Sequence, residues 1–307
     1  MAFQISDFMP AAFLDDFDLL KRLHYLSLVA ERAGGVSLLG GPRKKIPGGG
    51  TEVTGIRDYV PGDEYRYIDW TLCARRDELM SKVFEGDEDR HGYILLDCSR
   101  SMGQGNPPKL RLARQIAAVL GYTALMKLDQ IGLCAFADGV VDSLPPLRGK
   151  TRIPRLLQFL RHLTADASAT DLTRTAEAYV RRYQRRGTLV LISDLYDPHG
   201  FQRAMDIFRN HGYDLRVVQI YDPREAEAAH LGDVELWDVE SGSVRPATIT
   251  ERAAARYRTL FGEFLASVRD YCSRSGVTCL QLTCDMPEDT VLLNVLRREP
   301  ARRFSAG

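Results

Sequence analysis

The sequence predicts an α/β protein: a doubly wound, mostly parallel sheet with helices on both faces, preceded by an N-terminal α+β extension. Three observations predict it. From His91 onward, short apolar runs alternate with helical patterns, which calls for crossover connections and parallel strands. Those runs are unbroken rather than alternating, as in strands covered on both faces. Finally, 307 residues at 45% hydrophobic composition can bury a full core.

The elements follow in order. Leu19 to Ala33 reads as an amphipathic helix, with Leu19, Leu20, Leu23, Leu26 and Val29 on its apolar stripe and Gly34-Gly35 as its stop. The Gly-rich basic stretch Gly40 to Gly50 reads as an exposed loop, because it lacks the G-x-x-x-x-G-K-[ST] spacing of a phosphate cradle. Thr51 to Phe84 is dense in charge and aromatics and shows no long period. Strand-like runs then fall at Tyr93 to Leu96, Ile131 to Phe136, Thr188 to Ile192, Leu215 to Ile220 and Val277 to Leu282. Between them, Leu110, Ala113, Ile116, Ala117, Leu120 and Ala124 line one helix, opened by Asn106-Pro107. Further helices are expected from Ile153 to Leu163, Leu172 to Arg185 and Phe201 to Asn210, and a long last one carries Leu260, Phe264 and Val268. Val140 to Leu144 reads as an antiparallel edge, and Val234 to Trp237 with Ser243-Val244 as a hairpin around Ser241-Gly242. The expected division is 1–90 for the N-terminal helix and the charged region, and 91–300 for the α/β domain.

Composition excludes several classes. With 41 basic and 41 acidic residues the chain lacks the electrostatic footprint of a general nucleic-acid binder. Asp7, Asp15, Asp16 and Asp18 stand where a secretory signal would be basic, and the longest apolar run, Ile116 to Met126, is too short for a bilayer. No cysteines pair as CxxC; Cys98, Cys134 and Cys279 sit in apolar runs, as reduced buried thiols do. The expected location is the cytoplasm.

The segment that carries chemistry is LLDCSRSM. It places Asp97, Ser99 and Ser101 just after the first apolar strand. In open α/β sheets, ligands bind beyond the carboxyl ends of the strands, where strand order reverses. A D-x-S-x-S loop there offers one carboxylate and two hydroxyls, an all-oxygen set suited to Mg²⁺ or Mn²⁺. Thr170, just before a helix, and Asp194, after the run LVLIS, supply matching groups at two more strand ends. Two carboxylates ~5 Å apart repel by about 3 kcal/mol at an effective dielectric of ~20, a cost that a shared divalent ion removes. The competing reading is that Asp and Ser here only cap the next helix. No histidine cluster, nucleophile elbow or Walker motif is present, and His199 is the one histidine near the proposed metal end.

This constellation resembles the metal-ion-dependent adhesion site of the von Willebrand factor A fold. The resemblance covers residues 91 to 285 and implies a Rossmann-like doubly wound sheet. It assigns Asp97, Ser99, Ser101, Thr170 and Asp194 to Mg²⁺, directly or through water, with one position open for an acidic residue of a partner. The preceding region resembles the signature of the Domain of Unknown Function 58 family: Arg57, Tyr59, Gly62, Asp63, Glu64, Arg66, Ile68, Asp69, Trp70, Ala74 and Arg75, then Lys82, Phe84, Glu85 and Glu88. Two departures are Val53, where the family usually has Phe, and Ala169, where a Gly usually precedes Thr-Asp-Leu. On its residues alone the signature reads as a turn at Pro61-Gly62-Asp63, an ion-pair network of arginines with acids, and aromatic anchors. Trp70 is expected to be buried.

The family resemblance implies a non-enzymatic protein-interaction module. It would be an adaptor or co-chaperone of a MoxR-type AAA+ ATPase, with possible further von Willebrand A partners, acting in protein maturation or complex assembly. The alternative is a Mg²⁺-dependent hydrolase, phosphoesterase-like, using Asp97 and Asp194.

Overall fold

In the computed structural model the described residues are 21, 23–25, 52–85, 91–167, 170–183, 185–227, 231–238, 243–287, 290, 291 and 295; for 52–54 and 83–85 the backbone alone is described. Most of the expected N-terminal helix, the loop from Gly40 to Gly50, Thr51, Glu88, Ala169 and the Ser241-Gly242 turn lie outside them. The chain forms two units, Gly40–Arg90 and Met1–Leu39 with His91–Gly307. Leu23 is buried in the core of the larger unit, so the expected first region, 1–90, is not one packing unit.

Within the smaller unit, β1 (Glu52–Asp58) pairs antiparallel with β2 (Met80–Glu85), and the short helix α1 (Trp70–Arg76) lies between them in sequence. The turn before it is closed by the Asp63 amide donating to the Val60 carbonyl at 3.0 Å. Gly62, at φ 110°, occupies the position where a side chain would be strained. The buried residues Ile68, Met80 and Ser81 hold this layer together.

The larger unit holds the expected mostly parallel sheet with helices on both faces. Its strands are β3 (His91–Asp97), β4 (Gln130–Phe136), β5 (Val140–Arg148), β6 (Thr188–Ser193) and β7 (Asp214–Tyr221). Strands β8 (Gly232–Trp237) and β9 (Val244–Ile249) form the separate expected hairpin, and β10 (Thr278–Thr283) returns to the main sheet. Six strands run in the order β10-β7-β6-β3-β4-β5. All pair in parallel except β5, the antiparallel edge, where Pro145 and Pro146 are tolerated because an edge needs no ladder on its outer side.

Alternate residues of each buried strand enter opposite cores. Ile94, Leu96, Val190 and Ile192 face α2 (Lys109–Met126) and α3 (Ile153–His162). Tyr93, Leu95, Leu189 and Leu191 face α4 (Leu172–Arg182), α5 (Gln202–Asn210) and the end of α6 (Glu251–Arg274). Gly121 lets α2 and α3 approach: a Cβ there would stand 2.8 Å from Leu156. One expectation fails in detail. Helix α2 opens at Lys109 behind Pro108, not at Asn106-Pro107, and the Asn106 amide donates to Asp222 at 3.3 Å. From β3 the chain goes one way to β4 and later the other way to β6, so strand order reverses between β3 and β6. The carboxyl ends of those two strands are the place for a ligand.

Candidate metal centre

Asp97 is the last residue of β3 and is wholly buried. Its Oδ1 accepts the Ser99 amide at 2.9 Å, a tight turn that brings Ser99 back to the strand end. Its Oδ2 accepts the Ser193 hydroxyl at 2.6 Å, which ties β3 to β6. Ser99 is buried and Ser101 half-buried, with their Oγ atoms 3.0 Å apart. The two hydroxyls share a hydrogen bond at this distance, which also matches the ~3.0 Å edge of an octahedron with ~2.1 Å bonds, so both can turn to one small cation. Thr170 is buried at the head of α4. Its segment is drawn to the same edge by the bridge of Ser99 with Ala167, the Arg100 amide on the Ala167 carbonyl at 3.0 Å, and the Asp171 amide on Ala137 at 3.0 Å.

Asp194, also wholly buried, follows β6. Its Oδ1 accepts the Tyr196 amide at 3.1 Å across a turn in which Leu195 takes φ 64°, a left-handed conformation rare for a bulky side chain. Its Oδ2 accepts the Lys109 ammonium at 2.8 Å. Lys109 is itself fully buried at the first position of α2. It also donates to Glu225 at 2.6 Å and lies 4.6 Å from the centre of the Tyr196 ring. The Tyr196 hydroxyl completes the set by donating to Glu225 at 2.7 Å.

The two carboxylates therefore stand in different electrostatic states. Burial, then the charge of Asp194, push the Asp97 carboxyl up to about 7, against the hydrogen bonds from Ser193 and Ser99. Among the described residues no cationic side chain pairs with it. For Lys109, burial works against the ammonium, but Asp194 and Glu225 outweigh it and its pKa stands above that of ordinary lysine. The oxygen donors fit a small hard cation: a buried carboxylate without a counter-charge beside two hydroxyls at ligand spacing. Groups of three or more His, Cys, Asp or Glu suited to a metal are absent among the described residues, so the hydroxyls are essential to this fit.

All five expected metal residues thus reach the carboxyl edge of β3, β4 and β6. Sequence reasoning missed Lys109, Ser193, Tyr196 and Glu225. Ser193 could have been found, since it directly precedes Asp194 at the end of an apolar run; Glu225 lies 116 residues from Lys109 and leaves no local signal. His199 lines a cleft of ≈ 370 Å³ with Asp171, Thr173, Arg174, Glu177 and Arg203.

The signature residues occupy the smaller unit. Arg57 pairs with Asp63 at 2.7 Å, and Asp63 also accepts the Val60 amide. That backbone bond first, then Arg57, hold its carboxyl below the usual range. Asp69 caps α1 through the Thr71 and Leu72 amides at 3.1 and 3.2 Å and lies 3.5 Å from Lys82. Arg66 contacts Glu64 and stacks 4.8 Å from the Tyr67 ring centre. The Tyr59 amide reaches the Leu79 carbonyl, and Arg75 is exposed in the last turn of α1. Trp70 corrects the expectation: it is 64% exposed. A seven-residue helix capped by Asp69 turns its first residue outward, while Ile68 and Met80 do the anchoring.

The family model described as "Protein of unknown function DUF58" matches residues 55–264. The chain belongs to this family. An uncharacterised protein of Mycobacterium tuberculosis is 28% identical to this DUF58 chain over 257 residues, 80% of each sequence. Among solved structures, the conserved hypothetical protein BatB of Bacteroides thetaiotaomicron is 14% identical and covers 67% of the DUF58 chain and 97% of its own, with a TM-score of 0.42. Proximal thread matrix protein 1 from the mussel byssus, described with a zinc-occupied MIDAS motif, is 14% identical, with 68% and 46% of the chains covered and a TM-score of 0.39. Among the described residues of the DUF58 chain, no helix is long and apolar enough to cross a membrane.

Proposed function

We propose that the chain is a metal-dependent protein-interaction module without catalytic activity of its own. Mg²⁺ or Mn²⁺ would be held by Asp97, Ser99, Ser101 and Thr170, with Asp194 behind them. The observation that carries this is the pair of Ser99 and Ser101 hydroxyls at 3.0 Å beside the buried, cation-free Asp97. Hydroxyl ligands donate little negative charge, so the ion stays electrophilic toward a carboxylate supplied by a partner. The proposed partner is a MoxR-type AAA+ ATPase, with this chain as adaptor or co-chaperone in the maturation or assembly of client proteins in the cytoplasm. A hydrolase reading is the weaker one, because both Asp194 oxygens already accept protein donors and no free base or nucleophile is placed beside Asp97 among the described residues.

The test is calorimetry with Mn²⁺ on the full chain, followed by capture of the ATPase with and without EDTA. One site is expected in the wild type and none in Asp97→Ala, with capture lost in EDTA. Equal Mn²⁺ heats for both proteins remove the metal reading. Capture undiminished by EDTA moves docking to the signature region, where Trp70 and Tyr65 are exposed. Turnover of a generic phosphoester that Asp97→Ala abolishes would favour the hydrolase.

A further inference from the structure

The least expected feature of this edge is a lysine. Of the 41 basic residues 7 are Lys, yet the only ammonium buried among the described residues lies against the second carboxylate of the metal centre. Its position is fixed from three sides: Asp194 at 2.8 Å, Glu225 at 2.6 Å and the Tyr196 ring at 4.6 Å. The ammonium is a compact point charge that donates to two carboxylates at once.

Charge counting gives its consequence. A divalent ion beside Asp97 and Asp194 would be neutralised by those two carboxylates alone. Lys109, in direct contact with Asp194, restores one positive charge to that group. Glu225, in contact with the same ammonium at 2.6 Å, offsets it in part, because it touches Lys109 and not the Asp97–Asp194 pair. With Glu225 included the group is neutral overall, but the positive charge stands nearer the ion than the last negative one, and an external carboxylate makes up that local deficit. We infer that Lys109 is the residue that sets the specificity of this centre: it weakens binding of the metal alone and couples metal binding to docking of a carboxylate. Glu225 and Tyr196 are positioning residues that keep the ammonium on Asp194. The inference rests on the metal reading at Asp97.

The experiment is a titration of the full chain with Mn²⁺, followed by electron paramagnetic resonance of the free ion, in chloride and in acetate at equal ionic strength. Lys109→Met keeps the length of the side chain and removes its charge. It is expected to bind Mn²⁺ alone at least about tenfold more tightly than the wild type. Acetate should tighten Mn²⁺ binding in the wild type and leave Lys109→Met unchanged, while Lys109→Arg keeps the acetate response. Should Lys109→Met fail to fold, Lys109→Met with Glu225→Gln removes the uncompensated Glu225 charge, and tighter Mn²⁺ binding is expected of it too. Equal or weaker Mn²⁺ affinity in a folded charge-free variant, or an acetate response equal to that of the wild type, overturns the inference and leaves the metal reading standing. Absence of Mn²⁺ binding in every protein, Asp97→Ala included, overturns both.

Discussion

The carboxyl ends of β3 and β6 present the same functional group in opposite circumstances. Asp97 ends one strand amid neutral donors, the Ser99 amide and the Ser193 hydroxyl. Asp194 follows the other in contact with a buried ammonium. The difference teaches that burial alone does not define a metal ligand. A carboxylate with its own counter-charge is structurally complete, whereas one with neutral donors costs free energy until a cation or a proton arrives. On this view the β6 end is a fixed support and the β3 end is the place that accepts a ligand.

The largest effect that could break this comparison is at the β6 end. Lys109→Ala strands two carboxylates, one of them wholly buried, and should destabilise the protein by about 3–5 kcal/mol in urea unfolding. A loss under 1 kcal/mol would mean that water already serves Asp194.

At the β3 end the sign reverses. In EDTA above neutral pH, Asp97→Asn should stabilise the protein, by up to about 4 kcal/mol. The carboxyl is pushed up to about 7 in the native state from its ordinary value of 3.8, so the native state prefers it neutral. That penalty is absent below the unfolded value, grows as pH rises between the two values and is complete above the folded one. Excess Mn²⁺ should reverse the ranking, since Asn lacks the charge for the ion. Loss of stability in EDTA equal to that of Lys109→Ala would erase the distinction between the two ends.

A smaller effect sharpens the comparison from a neighbouring carboxylate. Asp222 is held down to about 2, first by the Arg224 side chain, and is itself buried. A depressed carboxyl contributes stability above its unfolded pKa and loses it as pH falls toward the folded one. About 2 kcal/mol should therefore disappear between pH 4 and pH 2, roughly, and Asp222→Asn should remove that part of the acid dependence. Wild-type acid sensitivity in Asp222→Asn would assign the loss to other groups.

The smallest expected effect is in the signature unit. Trp70→Ala should change stability by less than about 0.5 kcal/mol, because its side chain is exposed and the cap beside it is made by Asp69, not by the indole. A shift in melting temperature like that of Ile68→Ala would place the indole in a packed environment.

The sequence by itself determined the alternation of strands and helices, because continuous apolar runs and helical stripes are local patterns that burial on a sheet enforces. It also located Asp97, Ser99 and Ser101, since a strand end places alternate residues of a D-x-S-x-S loop toward one cavity. Trp70 was misread for a physical reason: burial of an aromatic depends on what packs over it, and no residue of the short helix it opens is buried. Only the tertiary structure decided which carboxylate has a counter-charge and which has neutral donors alone. Lys109 meets Asp194 from 85 residues away and Glu225 from 116, across α2, β6 and the turn after β7. Charge pairing over such separations follows from chain topology and carries no periodicity, so no local pattern in the sequence could announce it.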